Sequence, residues 1–218
     1  MLELSLVQKI AIWALPVLFA ITLHEVAHGW VASKFGDQTA RLSGRLTLNP
    51  LKHIDMMGTI IVPLLMLIST GFIFGWAKPV PVDARNLHNP RRDMAIVSLA
   101  GPVSNLIMAM MWAGFGKLGI YLVSTSAWFA VPMVYMAEAG VMINVVLAVL
   151  NCLPVLPLDG GRVLASILPP RMDWYLSRIE PYSFFILVIL MITGVLSFII
   201  SPPIIFLVAG ISRLFGLP

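Results

Sequence analysis

The sequence predicts an all-α polytopic membrane protein, and three observations lead there. Of its 218 residues 59% are hydrophobic and only 11% charged, too little polar surface for a water-soluble domain. Mean hydropathy is +0.95. Apolar runs long enough to cross a bilayer recur to the end of the chain, broken by polar, basic and proline-rich stretches. The expected architecture is a helical bundle of about five to six transmembrane segments. It forms a single domain over residues 1–218, with a core over 8–162 and a C-terminal helical hairpin over 182–216. The net charge of +4 reads as membrane orientation rather than nucleic-acid binding. A single cysteine, Cys152, excludes an intrachain disulfide and a cysteine-based metal cluster.

The first span runs from Ile10 to about Phe35, with Pro16 as a kink. It is expected to be retained, because Met1–Ser5 lacks a basic region and a clear cleavage site. Asp37 to Asp55 is polar and basic. Within it, partial alternation over Thr39–Leu48 predicts a short β element at the membrane surface, whose edge could accept an extended peptide. His53 reads as a surface histidine and Asp55 as a helix N-cap. Gly58 to Phe74 is apolar and just long enough to span, but Gly58, Pro63 and Gly71 would equally permit it to re-enter. A proline-punctuated loop follows from Gly75, leading through a solvated His88 to Arg91 and Arg92. Further spans are expected over about Asp93–Phe115 and Trp128–Leu150. After a loop carrying Arg171 and Arg178, segments Tyr182–Ile200 and Ile204–Phe215 are expected to pair across a Ser201-Pro-Pro turn.

His24-Glu-Val-Ala-His28 stands at the end of the first span. Histidines four apart share one helix face, so both imidazoles can reach one metal. Glu25 lies beside them without being a ligand, in the pattern of a zinc hydrolase with a glutamate base. Charged groups inside a span cost roughly 2.5–3.5 kcal/mol each, so ionisable residues there are functional by default. A catalytic zinc takes three protein ligands and keeps one position open. Among the few remaining acids Asp159 stands out, because Pro157, Gly160 and Gly161 would let the backbone bend it inward. On its own pattern, however, a plain Asp-Gly surface turn describes it better.

Three motifs in order complete a resemblance: His24–His28, Ala100-Gly-Pro-Val-Ser-Asn105, and Asn151-Cys-Leu-Pro-Val-Leu-Pro-Leu-Asp-Gly-Gly-Arg162. Together they resemble the site-2 protease family of intramembrane zinc metalloproteases, in its compact prokaryotic form without PDZ or CBS modules. Gly75-Trp-Ala-Lys-Pro-Val-Pro and Gly44-Arg-Leu-Thr-Leu-Asn-Pro resemble one bacterial and archaeal branch of it. The resemblance implies one zinc per chain held by His24, His28 and Asp159, with Glu25 as general base. It implies that Asn151 holds the substrate or its oxyanion, with weaker support for Asn105 and Asn144, which also read as interhelical hydrogen-bond residues. The implied substrate is a single-pass transmembrane protein cleaved in or near its membrane helix. The alternative is a membrane zinc transporter or sensor using the same ligands.

Topology follows from the metal. His28 and Asp159 can share an ion only if the first span and the Trp128–Leu150 span end at one face, which requires Gly58–Phe74 to dip in and return. That arrangement places Lys34, Arg41, Arg45, Lys52, Lys78, Arg85, Arg91, Arg92, Arg162, Arg171, Arg178 and Arg213 on one side, with Lys9 and Lys117 on the other. The positive-inside rule then predicts a cell-membrane protein with an outside N-terminus and a zinc site toward the cytoplasm.

Overall fold

A computed structural model describes residues 5–62, 65 and 75–217, and all regular structure among them is helical. Helix α1, Leu6–Lys34, starts at a Ser5–Gln8 capping box and carries Pro16 inside it. A four-residue helix α2, Thr39–Leu42, follows. The long helices are α3, Pro90–Val123, and α4, Ala130–Asn151. A short α5, Asp159–Ile167, leads into α6, Pro170–Ile192, and α7, Val195–Phe215. Helices α1, α3, α4, α6 and α7 are each long and apolar enough to cross a membrane.

The bundle is built on α3. Helix α1 runs antiparallel to it: His88 N–H donates to the Phe35 carbonyl (2.9 Å) at one end, and Asn105 Nδ2 donates to the Ala20 carbonyl (3.2 Å) deeper in. Helix α4 lies antiparallel on another face, and α7 closes against both through Ala109, Ala113, Val141, Val145 and Ile211. Small residues allow this approach, since in lipid the helices associate by packing rather than by escaping water. Large apolar side chains such as Trp13, Phe19, Met111 and Phe206 face outward, as a lipid-exposed surface requires.

Several expectations are corrected. Thr39–Leu48 holds no strand, and so no strand edge. Asp37 Oδ1 accepts from Thr39 N–H (3.0 Å) and starts a helical turn. Gly44, at φ 65°, then ends it with Gly44 N–H to Arg41 and Arg45 N–H to Ala40, a left-handed closure that outweighs the alternation. His53 is not a surface residue: it is 2% exposed, with Nε2 bonded to the Thr47 carbonyl (2.9 Å) and its own carbonyl accepting from Lys78 N–H. The Lys78 bond comes from a loop about 25 residues on, beyond local pattern. Asp55 does cap a helical turn, through Gly58 N–H.

Arg171 and Arg178 lie inside α6, which Pro170 opens as first-turn residue. The reversal before α7 falls at Gly194, φ 76°, and Pro202 and Pro203 sit within α7. Proline's fixed φ suits a helix better than the left-handed turn this reversal uses. Helix α7 ends beside Gly116–Ile120 and Val134–Glu138, with Gly216 next to the Lys117 ammonium. Arg213 therefore lies at the Lys117 end, not with Lys34, because α7 runs parallel to α3.

The expected re-entrant segment lies mostly outside the described residues. Its first residues are bonded to the loop that follows it: Trp76 N–H donates to the Gly58 carbonyl (3.0 Å), and Thr59 Oγ1 donates to the Trp76 carbonyl (2.9 Å). Lys34 and Arg91 share one end of the bundle, as the metal argument required.

Asp37, fully buried, ties α1 to the loop before α3. Its carboxylate accepts from Thr39 N–H and Oγ1, Asn86 Nδ2 and Asp83 N–H. Burial pushes its pKa up, but the bonds from Thr39, Asn86 and Asp83 outweigh it and hold the pKa below 3.8. A lowered folded-state pKa contributes stability above the unfolded value, lost as pH falls through the folded one. Asp37→Asn should lower the melting temperature at neutral pH and flatten the loss of stability that the wild type shows as pH drops below about 4. Equal melting temperatures across that range would show that the knot contributes nothing.

Candidate metal centre

Helix α1 presents His24 and His28 on one face, 8% and 9% exposed. Their Nε2 atoms lie 3.1 Å apart. Asp159, in the first turn of α5, reaches them from across the bundle, its Oδ2 lying 3.2 Å from His24 Nε2 and 3.3 Å from His28 Nε2. Among the described residues, these three form the one group of histidine, cysteine and acidic side chains within common ligand reach.

The proton inventory shows what this arrangement lacks. His24 Nδ1–H donates to Asn105 Oδ1 (2.6 Å), and His28 Nδ1–H donates to the Val97 carbonyl (2.7 Å). Neither partner can donate at that contact, so each neutral ring carries its proton on Nδ1 and turns a lone pair inward from Nε2. Asp159 Oδ2, buried, has no hydrogen-bond partner. Three acceptors thus converge with no donor between them, an arrangement that a cation completes. Tetrahedral zinc with bonds of about 2.0–2.1 Å sets its ligands about 3.3 Å apart, close to the spacing seen. The donor set fits zinc.

The chain positions each ligand locally. Gly160 and Gly161 let loop 152–156 close over the start of α5: a Cβ on Gly160 would stand 2.4 Å from the Cys152 carbonyl oxygen, and one on Gly161 2.4 Å from Val155. Arg91 Nη2 donates to the Ala165 (3.4 Å) and Leu168 carbonyls, anchoring the far end of α5 on α3. Asn105, fully buried, is held in turn: its Nδ2 donates to Asn144 Oδ1 (2.9 Å), whose own Nδ2 donates to Gly140 (2.8 Å). Such partners orient a ligating histidine and fix its tautomer. Asn105 and Asn144 therefore stand behind His24, on the Nδ1 side of its ring rather than the Nε2 side. Asn151 ends α4 half-buried, with one amide hydrogen bonded to Leu147 (3.0 Å) and the second not used there. Glu25 Oε2 accepts from Val80 N–H (2.7 Å).

Sequence reasoning missed Gly101, the Val97 carbonyl, Arg91 and Val80 N–H. Only Gly101 left a signal, as part of the Ala100–Asn105 motif. A Cβ there would lie 2.4 Å from His28 Nε2 and 2.6 Å from His24 Nε2, in the space between the ligands. Gly101→Ala should reduce zinc per chain to well below one in purified protein, by metal analysis. Full occupancy would show that α3 shifts to make room.

A model of peptidase family M50 matches residues 115–194. YwhC of Bacillus subtilis, named as a candidate zinc metalloprotease, is 39% identical over 189 residues, covering 85% of this chain and 82% of YwhC. Rip2 of Mycolicibacterium smegmatis, similarly named, is 32% identical over 83% of this chain and 66% of its own length. Zinc metalloprotease MJ0392 of Methanocaldococcus jannaschii is 24% identical over 78% of this chain and 39% of its own. No solved structure matches the chain. With its helices, its three converging ligands and a relative this similar over nearly its whole length, the chain belongs to peptidase family M50, the site-2 protease family of zinc metalloproteases.

Proposed function

We propose that the protein is an intramembrane metalloendopeptidase that cleaves single-pass transmembrane proteins in or next to their membrane helix. The observation that carries this reading is the convergence of His24, His28 and Asp159 with Glu25 beside them but outside the ligand set. Zinc held by these three residues supplies a Lewis acid and a water of lowered pKa. Glu25 is the general base. Oε2 is engaged by Val80 N–H, so Oε1 is the atom that takes the proton and returns it to the leaving amine. The free amide hydrogen of Asn151 is the donor for the developing oxyanion. Asn105, backed by Asn144, keeps His24 in the metal-binding tautomer.

The basic residues support an orientation. Lys34, Arg41, Arg45, Lys52, Lys78, Arg85, Arg91 and Arg92 gather at the site end, against Lys9, Lys117 and Arg213 at the other. The positive-inside rule puts the site end in the cytoplasm, even with Arg213 reassigned.

Zinc analysis alongside cleavage of a transmembrane substrate tests the chemistry. Asp159→Ala should lose the metal. Glu25→Gln should keep one zinc per chain and lose activity, and Asn151→Ala should keep zinc while turnover falls about 10²-fold. An active Glu25→Gln protein would sink the base assignment. For orientation, single cysteines near Lys34 and Arg91 in a Cys152→Ser background should both label from the cytoplasm, and labelling from outside would reverse it.

A further inference from the structure

The segment after Gly75 is tied down along its length. Trp76 N–H is bonded to Gly58, Lys78 N–H to His53 (2.9 Å), and Asp83 N–H to Asp37 (2.8 Å). Arg45 Nη2 donates to the Lys78 carbonyl (2.7 Å) and the Pro79 carbonyl (3.3 Å). Lys78 and Val80 each precede a proline, which keeps both extended. Between Pro79 and Pro81, neither of which has an N–H, the one backbone donor is that of Val80. It points at Glu25 Oε2. The side chain of Val80, 7% exposed, rests in a notch at Gly29, one helical turn past Glu25 on the same face. A Cβ on Gly29 would stand 2.9 Å from Val80 Cγ1.

We propose that residues 76–83 are a positioning strap whose Val80 N–H fixes the Glu25 carboxylate, with Gly29 and Arg45 seating the strap. The inference rests on Glu25 being the general base. Held by Oε2 at 2.7 Å, Glu25 keeps Oε1 in a single place relative to His24 and His28. A carboxylate free to rotate would lose that alignment, and a misplacement of about 1 Å is enough to cost about 10² in rate. The strap's backbone N–H groups bond Gly58, His53, Glu25 and Asp37 rather than the three ligands, so its loss should leave the metal in place.

The test compares Val80→Pro, which removes the N–H in an already extended segment, with Val80→Ala, which keeps it. Val80→Pro should lower kcat about 10²-fold with KM within about threefold of wild type and one zinc per chain. Val80→Ala should restore most of kcat. Gly29→Ala, which leaves Val80 N–H in the chain but pushes on the Val80 side chain and lifts the strap, should lower kcat about 10-fold with zinc retained. Equal losses in Val80→Pro and Val80→Ala would overturn the proposal, because side-chain packing would then be the cause. So would wild-type kcat in Val80→Pro, or loss of zinc from it. Should Val80→Pro fail to fold, full turnover in Gly29→Ala overturns it. Glu25→Gln separates the two readings: an active Glu25→Gln protein removes the general base itself, whereas an inactive one beside an active Val80→Pro protein removes only the strap.

Discussion

The rest of the structure depends on the meeting of three acceptors. His24 Nε2, His28 Nε2 and Asp159 Oδ2 lie within 3.3 Å of one another, both imidazole protons turned outward. Without a cation such a cluster is repulsive, and repulsion is poorly screened where water is scarce. The ion therefore decides what the fold must do. Two helix turns separated by about 130 residues of chain must meet within a bond length or two of each other. Helices α1 and α4 must end at one face, and α5 must turn back toward α1. Gly101, Gly160 and Gly161 remove side chains wherever these elements would otherwise collide.

A bilayer makes polar positioning costly, and this chain answers with a connected relay rather than isolated groups. Gly140 holds Asn144, Asn144 holds Asn105, and Asn105 holds both His24 and the Ala20 carbonyl. Each buried donor and acceptor finds a partner, so the relay carries little of the penalty of an unpaired polar group. The same connections cross-link α1, α3 and α4 at the depth of the site. Asn105 and Asn144 thereby join the helices and orient a ligand at once, the interhelical hydrogen bonding that was the alternative to substrate or oxyanion support.

The same geometry bears on the alternative of a zinc transporter or sensor. Transport favours ionisable groups strung along a path, whereas the described residues gather their metal-ligating side chains at one place. Glu25 lies outside the converging group. Its carboxylate is engaged from the side by a backbone N–H, an arrangement suited to a base that must keep one oxygen free. A transporter has no evident use for it.

How much was legible in the sequence differs between elements for physical reasons. Apolar run length reports the solvent, so the spans and the membrane class were readable directly. Helical periodicity set His24 and His28 on one face. The need for a common ion already requires Lys34 and Arg91 to lie at one end. Local pattern failed where a contact from far along the chain decides the outcome. Alternation over Thr39–Leu48 suggested a strand, but Asp37 and Gly44 close a helical turn there. His53 read as a surface histidine, yet it is buried and its carbonyl accepts from Lys78 N–H of a distant loop. Ser201-Pro-Pro looked like a reversal, yet a proline inside α7 satisfies its own fixed φ and Gly194 makes the turn. By itself the sequence determined the solvent and the histidine pair, whereas the count of five long apolar helices among the described residues came from the structure. The resemblance already implied Asp159 as a neighbour of that pair, whereas Asn105 behind His24 and Val80 N–H on Glu25 were decided only by the tertiary structure, because each joins residues more than 50 positions apart whose pairing no local period encodes.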